Sequence, residues 1–283
     1  MPVLCSTGVF TQEPEWDDPA LVIERALLVP ADGLEILVYN DWYGELDDVA
    51  RRLRELDRPC PVTHAEKSIG PLLIDDPATA FRHFEANCRF TRAIGARTLV
   101  LHLWGLPHSD GQLDAQLDAL PGLLDVADNH GLRLAVETIP CQVHDPLTNI
   151  RRVLARDERA WVALDTEFLA MHGQLDAASE ADWLWASSRV CHVHVKDFDE
   201  TQADADGHRR YLHPGEGSVD FPPFLRRLVS RGYDGPMSLE ACALDEDGTV
   251  DFPRAWRSLS LLRELVQDAR AAVNAVRAGR TDG

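Results

Sequence analysis

Eight short apolar or β-branched runs punctuate the chain: PVLCSTG near residue 4, LEILVY near 36, CPVTH near 62, TLVLHLW near 101, RLAVET near 135, WVALDT near 163, VCHVHVKD near 193 and PMSLEA near 239. Their length and composition are those of strands. Between them, amphipathic spacing predicts helices over 46–56, 78–94, 113–129, 147–155, 221–229 and 252–266, many opened by Asp or Pro and several closed by Gly. Near-continuous apolar strands alternating with helices imply a parallel sheet buried on both faces, and eight such units in this length are what a (β/α)8 TIM barrel requires. The alternative, an open doubly wound sheet, is weakened by the absence of any G-x-G-x-x-G turn. No linker or low-complexity segment interrupts the pattern, so a single domain over 1–276 is expected, with RAGRTDG at 277–283 as a flexible tail.

Composition narrows the class. With 45% hydrophobic and 27% charged residues the chain reads as an ordinary globular protein, and no segment approaches the uninterrupted apolar length of a membrane span. The six cysteines lie far apart without a C-x-x-C pair, which fits reduced thiols and a cytoplasmic location. A formal charge of −19 repels polyanions, so a small-molecule partner is expected rather than nucleic acid or membrane. Trp256, Leu259, Leu262 and Leu265 form an apolar strip on the last helix that suits packing on the barrel and is also compatible with a homo-oligomer.

The run CHVHVKD places His192 and His194 on one face of a strand. In a barrel, chemistry gathers where strands end, and here His64, His102, Glu137, Asp165, His194 and Glu240 all follow apolar runs. A carboxylate at the end of LAVE or SLE leaves water partly behind, at a cost unless it is paired or bound to a cation. Two glutamates, an aspartate and an imidazole suit a divalent ion such as manganese, magnesium, cobalt or zinc. His194, nearer the strand's end, is the better ligand, and His192, deeper in the barrel, is assigned a core or supporting role.

The motifs LAVETIP, ALDTEFLAMHG, HVHVKD, HPGEG and MSLEA, in this order, resemble those of the xylose isomerase-like barrels, which include sugar isomerases and epimerases and the endonuclease IV group. The resemblance implies that Glu137, Asp165, His194 and Glu240 hold one divalent metal. It also implies that His64 and His102, with Glu137, hold a second ion or bind substrate. The third metal of endonuclease IV-like enzymes needs histidines where this chain has Phe168 and Tyr211, and an aspartate where it has Arg209, which argues against abasic-site cleavage. Ketose 3-epimerases carry a substrate-binding arginine where Glu200 stands, and often a histidine within the segment that here reads Asp165-Thr166-Glu167-Phe168.

The function expected on this basis is a metal-dependent isomerase or epimerase of a small sugar, sugar phosphate or polyol. Glu137 and Glu240 would serve as general base and acid, and Lys196, His213, Glu216 and Trp104 would contact substrate. The alternative is a metal-dependent hydrolase or lyase not acting on DNA. The acidic loop DFDETQADADG, at 197–207, is either a lid or an exposed loop.

Overall fold

A computed structural model describes residues 1–11, 18–186, 188–201, 210–245 and 248–281. Eight parallel strands close in sequence order into a barrel: β1 (Val3–Ser6), β2 (Gly33–Leu37), β3 (Val62–His64), β4 (Thr98–Leu101), β5 (Arg133–Glu137), β6 (Trp161–Asp165), β7 (Val190–Val195) and β8 (Met237–Leu239). Closure by pairing of β8 with β1 rules out the open doubly wound sheet.

Helices cover the outside of the barrel, and three of them, Pro19–Leu27, Pro77–Ala93 and Pro146–Arg156, begin with the same device. Asp18, Asp76 or Asp145 accepts hydrogen bonds from backbone N–H groups of the first turn, and the following proline needs no partner for a missing N–H. The last helix runs past the periodic stretch to Thr281, taking in most of the segment expected to be a tail, because its Ala- and Arg-rich sequence sustains helix without proline. On this helix Leu259 and Leu262 are buried, whereas Trp256 is partly exposed and donates its indole N–H to the Leu28 carbonyl. No helix among the described residues is long and apolar enough to cross a membrane.

The barrel interior changes character along the strands. Leu4, Val62, Val100, Ala135, Ala163 and Cys191 form an apolar plug against which Trp161 packs. Two residues further along, the same faces of β3, β5 and β6 and the end of β4 carry His64, Glu137, Asp165 and His102. The plug makes a dry floor and the strand ends raise polar groups above it.

Candidate active site

Glu137, Asp165, His194 and Glu240 converge, with one donor atom from each lying within 4.8 Å of the others. His194 Nδ1 is 2.8 Å from Glu137 Oε1, 3.4 Å from Glu240 Oε2 and 3.9 Å from Asp165 Oδ2. The Lys196 ammonium lies between the acids, 2.7 Å from Asp165 Oδ2, 2.6 Å from Glu240 Oε2 and 3.8 Å from Glu167 Oε2.

Charge dominates this group. Among the described residues Lys196 is the only buried lysine or arginine, against the buried acids Glu35, Glu137, Asp165, Glu167 and Glu240 nearby. Burial works to raise the Glu137 carboxyl, but the charge of His194 and the hydrogen bonds from His194 and His102 outweigh it and hold the group well below its ordinary range. Glu240 resists the same burial through His194 and Lys196 and sits at about 2. Asp165 goes the other way: burial, with the neighbouring glutamates, pushes it up to about 7 despite Lys196. Burial opposes charge on His194 and Lys196, yet the surrounding carboxylates hold both well above their ordinary values.

These residues fit a divalent cation. Acids outnumber fixed cations in a buried space, and Asp165 Oδ2 makes no well-directed hydrogen bond even with the ammonium close by. The donors are carboxylate oxygens with one imidazole, the set expected for a hard or borderline ion.

A second group shares Glu137. His64 Nε2 and His102 Nε2 lie 3.1 and 2.9 Å from Glu137 Oε2. His64 Nδ1 is 2.7 Å from the Ala65 carbonyl, which can only accept, so Nδ1 carries a proton. Nε2 then either donates to Glu137 Oε2 or turns a lone pair toward that oxygen, and in the second arrangement the two acceptors call for a cation between them. Burial pulls His102 down to about 4, so its ring is neutral at physiological pH and donates to Glu137.

Above these groups opens a cavity of about 470 Å³, lined by His64, His102, Lys196 and Glu240 together with Tyr39, Asp41, Glu66, Lys67, Phe168 and Tyr211. Glu137, Asp165 and His194 lie beneath its wall. Phe168, at the place of an endonuclease IV-like metal histidine, lies under the Lys196 ammonium, 4.7 Å from Nζ to the ring centre.

Three expected substrate contacts are engaged elsewhere and do not line the cavity. Trp104 is fully buried and its indole donates to the Pro140 carbonyl. His213 is held between the Ser258 hydroxyl and the Cys242 carbonyl, and Glu216 pairs with Arg254. The HPGEG turn wraps the Asp197 carboxylate, which accepts from the N–H groups of Gly215, Gly217 and Val219. A Cβ at Gly217 would meet Asp197 Oδ1 at 2.5 Å, so the motif's second glycine serves this close approach. Of the acidic loop, residues 202–207 lie outside the described residues, as does Arg209, so the lid expectation falls largely there.

Sequence reasoning missed Glu35, a lone carboxylate in the apolar run LEILVY, and the charged pair Glu66-Lys67 just beyond His64. Both are local anomalies of the kind that marked Glu137.

The fold and the cluster at its strand ends define a (β/α)8 barrel with a candidate metal centre. A family model described as the xylose isomerase-like TIM barrel matches residues 24–264, and the chain belongs to that family. No curated protein matches the chain. Among solved structures, a D-tagatose 3-epimerase-like protein is similar with a TM-score of 0.70 at 15% identity, over 96% of this chain and 100% of that one. An L-ribulose 3-epimerase gives 0.71 at 16% identity over 97% of each chain. The 3-keto-D-glucoside 4-epimerase from E. coli gives 0.65 at 20% identity, over 93% of this chain and 99% of that one. At these identities the likeness is one of fold.

Proposed function

We propose that the chain is a divalent-metal-dependent isomerase or epimerase acting on a small sugar, sugar phosphate or polyol. The observation that carries this reading is the pair of buried glutamates, Glu137 and Glu240, both close to His194 Nδ1, with Glu240 in the wall of a cavity sized for a monosaccharide and Glu137 just beneath it. The epimerase names of the similar structures support the same class.

Glu137, Asp165, His194 and Glu240 would hold the ion. When bound, it supplies Lewis-acid stabilisation of the negative charge that develops beside a carbonyl as a carbon-bound proton leaves. Glu137 and Glu240 are carboxylates at neutral pH, so one would accept the carbon-bound proton while the other, having taken a proton from cavity water, delivers it to carbon, and the first then returns its proton to water. His102 donates to Glu137 Oε2 and orients it. Lys196, already on Glu240 and in the cavity wall, offers its charge to a substrate hydroxyl or phosphate.

One observation favours a second reading. His64 Nε2 lies against Glu137 Oε2 while its Nδ1 is committed to the Ala65 carbonyl, an arrangement that would suit another cation between the first two atoms, as in a two-metal hydrolase or lyase. The test is incubation of metal-loaded protein with pooled aldoses, ketoses, polyols, sugar phosphates and phosphodiesters in heavy water, followed by mass and proton spectra. Deuterium gain without cleavage, abolished by Glu137→Gln, is expected. Cleavage that requires His64 and His102 supports the second reading, and a wild-type protein containing no metal even after reconstitution overturns both.

A further inference from the structure

Glu35, on β2, has no part in the scheme above. It is wholly buried inside the barrel, far from any solvent that would offset its charge. Each of its oxygens meets a different imidazole of β7: Oε1 is 2.9 Å from His194 Nε2, and Oε2 is 3.0 Å from His192 Nε2. The two rings lie 4.8 Å apart at 83°, so one carboxylate spans both.

An ionised carboxylate only accepts hydrogen bonds, so both facing Nε2 atoms carry protons. On His194 both nitrogens therefore carry protons, Nε2 against Glu35 and Nδ1 against Glu137. The Nε2 proton is the one turned away from Glu137, Asp165 and Glu240, so a cation on those acids would displace only the proton on Nδ1. The other nitrogen, Nδ1, is the one that faces those three acids. We infer that Glu35 is a positioning residue for the candidate metal centre: it sets the ring orientation and tautomer of His194 so that Nδ1 is offered as the ligand, and His192 is the strut that holds Glu35 in place. The inference rests on the metal-dependent reading above. It also accounts for a histidine at every second position of CHVHVKD: the outer one is a ligand and the inner one secures the carboxylate that orients it.

A histidine ligand whose second nitrogen is bonded to a carboxylate binds metal about 10- to 100-fold more tightly than one without that partner. Glu35→Gln keeps the volume but replaces one acceptor oxygen by an NH2 group, so at least one Nε2–H loses its acceptor. The experiment is a zinc titration against a competing chelator on the folded full-length protein, with 15N-histidine spectra of wild type with and without zinc.

The expected result is a protonated His194 Nε2 in both wild-type samples, with zinc altering only Nδ1. Zinc affinity should fall about 10- to 100-fold in Glu35→Gln and by a smaller factor in His192→Asn. A merely structural role would lower thermal stability in both variants while leaving the affinity of the folded protein unchanged, and that outcome overturns the inference. So does loss of the Nε2 proton on zinc loading, which would place the ion between Glu35 and the two rings. If Glu35→Gln does not fold, the wild-type spectra still decide. Failure of the metal-dependent reading looks different: the wild type then takes up no zinc while the Nε2–H signal persists, which removes the metal role and leaves the hydrogen bond.

Discussion

Replacing Lys196 by methionine isolates the charge balance of the site. The ammonium is buried, within 2.7 Å of Asp165 and 2.6 Å of Glu240, and methionine preserves most of the stem volume. Removing one partner of a buried ion pair typically costs about 3–5 kcal/mol, because the acids are left uncompensated. An unfolding entropy of about 2.1 cal/mol/K per residue gives about 0.6 kcal/mol/K for 283 residues, so the metal-stripped variant should melt about 5–8 °C below stripped wild type. A divalent ion on the same carboxylates replaces the lost charge, so adding manganese should raise the melting temperature of Lys196→Met more than that of wild type. Circular dichroism melts of chelator-treated and manganese-loaded samples provide the assay. Equal melting of the two stripped proteins would refute the claim that the acids depend on Lys196, and an equal manganese response would refute the claim that ion and ammonium compete for them.

Further predictions concern the scaffold. Burial, helped by the Arg254 charge, lowers His213 to about 4, below its ordinary value of 6.5, so the folded state favours the neutral ring. That stabilisation, on the order of 3 kcal/mol, is full above the unfolded value and is lost as pH falls from about 6.5 toward 4. Urea unfolding at pH 7.5 and 4.5 should therefore show a smaller pH effect in His213→Gln than in wild type. Asp110 accepts from the N–H groups of Gln142, Val143 and His144 and from the Asn149 amide, which ties down the loop after β5. Asp110→Asn turns an NH2 group toward these donors and should cost about 2–3 kcal/mol in urea unfolding. Leu99, fully buried on the outer face of β4, should cost about 2–5 kcal/mol when cut to alanine, with no change in metal content by elemental analysis.

All eight strands and the main helices were legible in the chain because apolar runs and helical spacing are local signals. The helix Pro19–Leu27 was not read, and neither were the short helices Ile69–Asp75, Thr166–Met171, Leu175–Glu180 and Asp182–Ala186, none of which is long enough to show a period. The convergence of Glu137, Asp165, His194 and Glu240 was legible for a related reason. A carboxylate or imidazole closing an apolar strand stands out locally, and barrel topology brings every strand end to one rim.

Direction and partnership could not be read in the same way. The HPGEG turn encloses Asp197 and the Trp104 indole donates to the Pro140 carbonyl, partnerships that the local sequence does not show. Glu35 is the clearest case, because its partners His192 and His194 stand 157 and 159 residues away and become neighbours only when the barrel closes. The chain by itself determined which segments are strands, which are helices and which side chains need a partner, since these follow from each residue's own chemistry and nearest neighbours. The tertiary structure alone decided which partner each one has, because closing the ring brings groups together across the barrel that no sequence spacing relates.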